Sequence, residues 1–128
     1  MILNFFIFQK NTIVGDLENN FIDIKKSYLD SVDKNCDFFL TPELCLSGYP
    51  PKDLLFREDF IEKIDIHYKK IVNLTLNKKT SIVLSTPKIK NNYIYNTLSI
   101  IENGETKKEF EKSILPNYGV FDEKRYFK

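Results

Sequence analysis

Apolar residues along the chain alternate between short continuous runs and helical stripes. The first run covers residues 2–9, and its length and its content of Ile and Phe predict a buried strand. Asp16, a residue type that favours helix N-caps, then precedes an amphipathic stretch. The apolar stripe of that stretch has helical spacing and consists of Leu17, Phe21, Ile24, Tyr28 and Val32. The pattern therefore predicts a strand followed by a helix.

A second strand and a second helix follow the first pair. Residues 37–41 form a short apolar run that ends before a proline, which cannot donate to a sheet ladder. A long loop is predicted over residues 42–56, and residues 57–77 carry another helical stripe. A third strand is predicted over residues 81–86 and is expected to end at Pro87.

The last part of the chain predicts a β-hairpin. Two strand-like runs, residues 93–101 and 106–112, flank Asn103-Gly104, which is a strong signal for a tight turn. The resulting order of strand, helix, strand, helix and three strands is typical of a layered α/β fold. Helices would cover one face of this sheet, and no element of the sequence is evident that would cover the other.

Composition narrows the class of protein. A length of 128 residues allows at most one domain. The net charge is +1 with lysines and glutamates interspersed, so we expect no nucleic-acid partner and no membrane-surface partner. No apolar run approaches the roughly 20 residues that span a bilayer, and the apolar start lacks a basic region and a cleavage site. The expected location is therefore the cytoplasm.

The chain has few of the cysteine and histidine residues from which structural zinc sites are built. There are two cysteines, Cys36 and Cys45, and one histidine, His67. Their spacing fits neither a structural zinc site nor a secreted disulfide scaffold, so we expect no metal. No Gly-rich phosphate loop is present, which argues against binding of ATP or a dinucleotide by this chain. His67 has no Ser or Asp motif around it that would suggest a Ser-His-Asp hydrolase.

Two charged residues stand at positions suited to catalysis. Glu43 directly follows the end of the second predicted strand, and functional residues of open α/β sheets collect at that edge. Lys112 ends the predicted hairpin and opens an aromatic loop, where an ammonium group could stabilise an oxyanion. From the local sequence alone, a surface position in a turn is the favoured interpretation of Glu43, and one lysine among many is ordinarily a solvated charge.

Two longer motifs contain these residues. They read TPELCLSGYPPKDLL over residues 41–55 and KSILPNYGVFDEKRYF over residues 112–127. Together they strongly resemble the N-terminal glutaminase domain of glutamine-dependent NAD synthetases, within the nitrilase (carbon–nitrogen hydrolase) superfamily. The stretches VGDLENN and YNTLSIIENGE are similar as well, so the resemblance extends over the whole chain.

The resemblance implies a fold and a domain organisation. Domains of this family form four-layer α-β-β-α sandwiches of about twice this length, within the size range of single layered domains. Residues 1–128 are therefore expected to be the N-terminal half of a nitrilase-type sandwich, with the C-terminal half and the ATP-dependent synthetase domain absent. ATP and deamido-NAD would bind to that absent domain. The family is homo-oligomeric.

The resemblance also implies roles for individual residues. Glu43 would be the general base that deprotonates a cysteine thiol, and Lys112 would stabilise the oxyanion formed when the thiolate attacks the side-chain amide of glutamine. Glu123 would be a further catalytic carboxylate that supports Lys112. Ammonia would leave, and the family delivers it to deamido-NAD. The glutamine pocket would be shaped by Tyr49, Tyr118 and Phe121.

The sequence departs from the family at the nucleophile, whose cysteine follows the aromatic loop in related proteins. Cys36 and Cys45 do not match that position, and each is expected to be an ordinary small hydrophobe. We therefore expect the chain alone to be inactive. Alternatives are a non-catalytic partner that docks with a separately encoded remainder, a gene remnant, and a generic amidase of the same superfamily.

Overall fold

A computed structural model describes all of residues 1–128 as an α/β fold. The strands are β1 Phe5–Ile7, β2 Phe38–Leu40, β3 Ser81–Lys90, β4 Tyr93–Glu102 and β5 Glu105–Glu111. The helices are α1 Leu17–Asp33 and α2 Glu58–Leu74, and two 3₁₀ helices span Lys52–Phe56 and Glu123–Arg125. The predicted order of strands and helices is confirmed, and neither α-helix is long and apolar enough to cross a membrane.

One sheet contains all five strands in the order β1-β2-β3-β4-β5. The pairs β1–β2 and β2–β3 are parallel, whereas the pairs β3–β4 and β4–β5 are antiparallel. The parallel connections are made by α1 and α2, because a parallel crossover needs more chain than a tight turn provides. The carboxyl ends of β1 and β2 therefore meet at one edge of the sheet.

Both helices pack on the same face of the sheet and form the core with it. Helix α1 begins directly after its N-cap residue, Asp16. The Asp16 side chain accepts a hydrogen bond from the backbone N–H of Asn19 at 3.2 Å. The predicted stripe is buried at Leu17, Phe21, Ile24 and Tyr28. Against it lie the helix-side residues of three neighbouring strands, Phe39, Ile82 and Ile101, which are paired in register.

The opposite face of the sheet is apolar and uncovered. Because side chains alternate along a strand, the neighbours of Phe39 and Ile82 point away from the helices. Phe5 and Ile7 of β1 are 52% and 58% exposed there, and Phe5 stacks on Phe38 with ring centroids 5.3 Å apart. The pattern continues through Leu98 and Phe110, which are paired and exposed. The second face therefore lacks a cover within residues 1–128.

The predicted end of the third strand at Pro87 is wrong. Strand β3 continues to Lys90, and Pro87 pairs with Asn96 of β4. The backbone carbonyl of Asn96 accepts a hydrogen bond from the backbone N–H of Lys112, so the backbone N–H and C=O of Asn96 both point to β5. Asn96 therefore needs no hydrogen bond from the backbone of Pro87. On its other side, β3 has no neighbour at Pro87 because β2 ends at Leu40. A missing N–H therefore costs no ladder bond at this position.

Gly48 allows the loop after β2 to lie against the start of α1. Its φ is +74°, and a Cβ at this position would lie 2.5 Å from the Cα of Val14. The segments are joined by a hydrogen bond from the backbone N–H of Gly15 to the carbonyl of Ser47 at 2.9 Å. Only glycine combines this left-handed conformation with so close an approach of two backbones.

We expect Gly48→Ala to lower the free energy of unfolding by at least about 3 kcal/mol, because a backbone clash adds to the strain of a positive φ. Gly119→Ala is the matched control, since Gly119 also has a positive φ but no atom within 4 Å of the point that a Cβ would occupy. The control should lose only about 1 kcal/mol. Urea unfolding of both variants measures the difference, and equal losses would contradict the close-approach explanation.

Candidate active site

Three charged side chains from distant parts of the chain meet at the carboxyl edge of β2. Glu43 follows β2 and Pro42, Lys112 follows β5, and Glu123 begins the last 3₁₀ helix. The Nζ of Lys112 lies 2.8 Å from Oε1 of Glu43 and 2.9 Å from Oε2 of Glu123. The two carboxylates therefore share one ammonium group, and all three sequence-predicted catalytic residues are brought together.

The sheet positions Lys112 on its uncovered side. Its backbone N–H donates to the carbonyl of Asn96 at 2.9 Å, which extends the β4–β5 ladder by one residue beyond Glu111. The side chain of Phe110, two residues earlier, is exposed on the same face, as the alternation of a strand requires. Lys112 therefore extends from a regular strand rather than from a free loop.

The two carboxylates have different surroundings. The side chain of Glu123 is 6% exposed, whereas that of Glu43 is 43% exposed. Oε1 of Glu123 accepts from the hydroxyl of Tyr49 at 2.9 Å and from Lys112 at 3.2 Å. Oε2 has no aligned hydrogen bond, so its contact with Lys112 is an ion pair. Glu123 is thus a buried anchor and Glu43 is open to a ligand.

The environment shifts the pKa of both groups that bind Glu123. Burial disfavours the charged form of Lys112, but hydrogen bonds to Glu43 and Glu123 outweigh it and raise the pKa of Lys112 above its ordinary value. The ammonium form therefore persists through neutral pH, and its stabilising effect is lost only as the pH rises through that raised pKa. Burial and then the hydrogen bond to Glu123 raise the pKa of Tyr49 as well.

A cavity of about 300 Å³ borders the charged cluster at Glu123, whereas Glu43 and Lys112 are not part of its lining. Tyr49, Phe121 and Glu123 line it together with apolar residues of the loop after β2. Tyr118 is not part of this lining, because its ring is mostly exposed and packs its edge on Phe121 at 5.6 Å between centroids. Two of the three predicted pocket residues therefore face one cavity, and the third lies outside it.

Sequence reasoning missed a polar residue that contacts Glu43. Asn96 of β4 is buried, and its Nδ2 donates to Oε1 of Glu43 at 2.6 Å. Its Oδ1 accepts from Ser85 of β3 at 3.3 Å. One signal was available, because Asn96 occupies the same side of its strand as Ile94 and Leu98, where an apolar residue is expected.

Neither cysteine is placed to act as a nucleophile. Cys45 is fully buried, and burial raises the pKa of its thiol to about 12, so almost no thiolate exists at neutral pH. Cys36 precedes β2, whereas Glu43 follows it, so the two lie at opposite ends of that strand. Both cysteines are free thiols.

His67 lies away from the charged cluster, in the middle of α2. Its Nε2 lies 2.9 Å from Oε2 of Glu18, and its Nδ1 lies 2.7 Å from the carbonyl of Lys63. The contact with Glu18 joins α1 to α2 on the helical side of the sheet, whereas Glu43 and Lys112 lie at its carboxyl edge and open face. His67 therefore contributes to the packing of the two helices and makes no contact with the candidate active site.

Comparisons with known sequences identify relatives of the chain. No known protein-family model matches it. It is 37% identical over 126 residues to the glutamine-dependent NAD(+) synthetase of Aquifex aeolicus, and 34% identical over 120 residues to that of Thermotoga maritima. These matches cover 98% and 94% of the chain. The chain spans only 22% and 21% of the length of the two relatives.

Solved structures extend the comparison to the fold. A glutamine-dependent NAD(+) synthetase from Acinetobacter baumannii, in complex with ADP, superposes with a TM-score of 0.91 at 26% identity over 98% of this chain and 24% of its own. An amidase of the nitrilase superfamily from Nesterenkonia superposes with a TM-score of 0.85 at 21% identity, over 98% of this chain and 47% of its own. The chain is therefore related to one region of the glutamine-dependent NAD(+) synthetases, and it has part of the nitrilase-superfamily fold.

Proposed function

We propose that residues 1–128 supply the general base and the oxyanion-binding lysine of a carbon–nitrogen hydrolase that releases ammonia from the side-chain amide of glutamine. The observation that carries this proposal is the position of Lys112 between Glu43 and Glu123. A lysine held by two carboxylates at a sheet edge is pre-organised, so it does not have to reorient as charge develops on a substrate.

In this proposal, Glu43 takes the proton of a cysteine thiol. A thiol with an ordinary pKa of about 8.5 is only partly ionised at neutral pH, so a nearby base increases the thiolate fraction. Glu43 suits this role because it is the more exposed of the two carboxylates and lies beside the ammonium group. The thiolate attacks the amide carbon, the C–N bond breaks, and ammonia leaves with the proton that Glu43 received.

Lys112 stabilises the negative oxygen of the tetrahedral intermediate. Its raised pKa keeps it charged at neutral pH, and the carboxylates restrict its position. Water then hydrolyses the γ-glutamyl thioester, and Glu43 is available to accept a proton from that water. Each carboxylate thus has a separate task, with Glu123 as the anchor of the lysine.

We infer that the glutamine side chain approaches through the cavity beside Tyr49 and Phe121. A volume of about 300 Å³ accommodates an amino acid of this size, at the lower end of ligand-pocket volumes. Tyr118 borders Phe121 and would become a further wall of the pocket if a second polypeptide segment packed against it.

The nucleophilic cysteine must come from residues other than 1–128, because Cys36 and Cys45 are unsuitable. We propose that ATP and deamido-NAD also bind elsewhere and that the released ammonia amidates deamido-NAD there. A cytoplasmic setting is part of this proposal, since a catalytic thiol has to remain reduced.

Replacement of the central lysine tests the charge arrangement directly. We expect Lys112→Met to reduce the free energy of unfolding by about 3 kcal/mol at pH 7, because the buried Glu123 carboxylate loses its cation. Lys107→Met is the matched control, since Lys107 pairs with the exposed Glu105 on the same strand and should cause no measurable loss. Urea unfolding measures both, and a stable Lys112→Met variant would contradict the proposed anchor role of Glu123.

The proposal predicts that the purified chain releases no ammonia from glutamine. Activity should arise when it is combined with the part of the Aquifex aeolicus glutamine-dependent NAD(+) synthetase that lies outside the matched region and is proposed to supply the cysteine, called here the cysteine-bearing remainder. Glu43→Gln should then reduce kcat/KM by about 10²-fold or more, and Lys112→Met should have a similar effect. Glu105→Gln and Lys107→Met, which alter an exposed pair, should leave the rate unchanged.

Steady ammonia release by the chain alone, abolished by Glu43→Ala, would overturn the assignment of the nucleophile. Faster release from small aliphatic amides than from glutamine would favour a generic amidase. A broad, non-cooperative thermal transition of the purified chain would favour a gene remnant without function.

A second candidate function is a non-catalytic partner that completes a separately encoded enzyme. The uncovered apolar face of the sheet favours it, because exposed faces of this kind mark interaction sites in soluble proteins. The occupant would be a half-domain of the same superfamily that presents its own apolar sheet face. This candidate differs from the first in that residues 1–128 would complete the fold of the enzyme without supplying its general base or its oxyanion-binding group.

The docking face can be tested separately from catalysis. We expect the chain to co-purify with the cysteine-bearing remainder, and Ile7→Asp to abolish the complex because it places a charge on the uncovered face. Ile66→Asp is the matched control, since Ile66 is similarly exposed but lies on α2. Equal loss of binding in both variants, or no complex with the parent chain, would contradict docking through this face.

A further inference from the structure

We propose that Asn96 is a positioning residue that fixes Oε1 of Glu43 and leaves Oε2 as the atom that accepts the thiol proton. This inference rests on the proposed function of Glu43 as a general base. Asn96 Nδ2 lies 2.6 Å from Oε1, and the Asn96 side chain belongs to a buried chain of hydrogen bonds. No motif in the sequence assigns a role to Asn96.

The direction of each hydrogen bond in that chain is fixed by chemistry. The backbone N–H of Leu44 can only donate, and it donates to Oγ of Ser85 at 3.0 Å. Ser85 therefore uses its single hydrogen for Oδ1 of Asn96, at 3.3 Å. The NH₂ group of the Asn96 side chain then points toward Glu43, because the flipped orientation would place Oδ1 of Asn96 against a carboxylate oxygen. Asn96 is thus held as a donor.

Two donors occupy the same oxygen of Glu43. Asn96 contacts Oε1 at 2.6 Å and Lys112 contacts Oε1 at 2.8 Å, and no group within residues 1–128 donates to Oε2. The Glu43 side chain is 43% exposed, so Oε2 can be approached by another molecule. Hydrogen bonds reduce the proton affinity of the oxygen that accepts them, and the free oxygen is the better proton acceptor.

Asn96 also binds the backbone of Lys112, the proposed oxyanion-binding residue. Its backbone carbonyl accepts from the N–H of Lys112 at 2.9 Å, while its side chain binds Glu43. Because Asn96 is almost fully buried within a regular strand, it provides a rigid reference for both groups. A single residue therefore sets the relative position of the proposed base and the proposed oxyanion group.

The proton balance of the step follows from this geometry. The S–H bond of the incoming cysteine breaks, its proton forms an O–H bond on Oε2 of Glu43, and the electron pair remains on sulfur. Oε1 keeps its bonds to Asn96 and Lys112 throughout, so the carboxyl group does not have to rotate. The same proton then passes from Oε2 to the departing amide nitrogen, which leaves as ammonia.

Nuclear magnetic resonance of the isolated chain tests the positioning role without requiring turnover. The side-chain amide protons of Asn96 should shift in Glu43→Gln, because their hydrogen-bond acceptor changes from a carboxylate to a neutral amide. Asn96→Leu should lower the pKa of Lys112, because Glu43 is no longer held against it. Asn96→Asp should raise that pKa further, because it adds a carboxylate.

Thr97→Val is the matched control, because Thr97 is the buried neighbour of Asn96 on the helical side and its hydroxyl has no partner. It should leave the pKa of Lys112 unchanged. An Asn96 amide signal that is insensitive to Glu43→Gln would overturn the proposal, and so would shifts of Lys112 in the same direction in Asn96→Leu and Asn96→Asp. The Glu43→Gln comparison decides even if Asn96→Leu does not fold.

The complex with the cysteine-bearing remainder gives a second readout. Asn96→Leu should lower kcat by about 10²-fold with little change in KM, the loss expected when a reacting group is displaced by about 1 Å. An effect on KM alone would contradict a role in proton transfer. Absence of turnover in the parent complex would count against the proposed function, while the resonance measurements would still decide the role of Asn96.

Discussion

The site depends on one interaction, the ammonium group of Lys112 between the carboxylates of Glu43 and Glu123. These residues come from a loop after β2, the end of β5 and the last 3₁₀ helix, so the interaction joins segments that are far apart in sequence. Two carboxylates without a shared cation would repel each other, and Glu123 is too buried for water to screen that repulsion. The lysine therefore stabilises the site that the proposed reaction uses.

The sheet is what makes this interaction possible. Parallel strands place Glu43 at the carboxyl edge, and the antiparallel hairpin returns Lys112 to the same edge through Asn96. The strand that passes Pro87 without a break carries Ser85, which anchors the turn at Leu44. Because the helices occupy one face only, the site and the apolar face are open on the same side, and any polypeptide that covers the face also borders the site.

Much of this organisation could be predicted from the sequence, because it rests on periodicity and on turn chemistry. The stripes of α1 and α2 and the Asn103-Gly104 turn follow from local patterns. The extension of β3 beyond Pro87 could not, since it depends on which side of the strand has a neighbour. The contact of Asn96 with Glu43 spans 53 residues of sequence and requires the register of three strands. Local patterns contain no information of that kind.

Burial separates the tasks of two carboxylates that share one lysine. Glu123 is enclosed and bonded to Tyr49 as well as to Lys112, so a proton transfer there would have to disrupt two contacts. Glu43 has one oxygen fixed by Asn96 and Lys112 and the other free. A general base needs an accessible oxygen lone pair close to the Lys112 ammonium group, and of the two carboxylates only Glu43 has both. In the proposed function, the environment of each group, rather than its residue type, therefore determines which one exchanges protons and which one holds the site together.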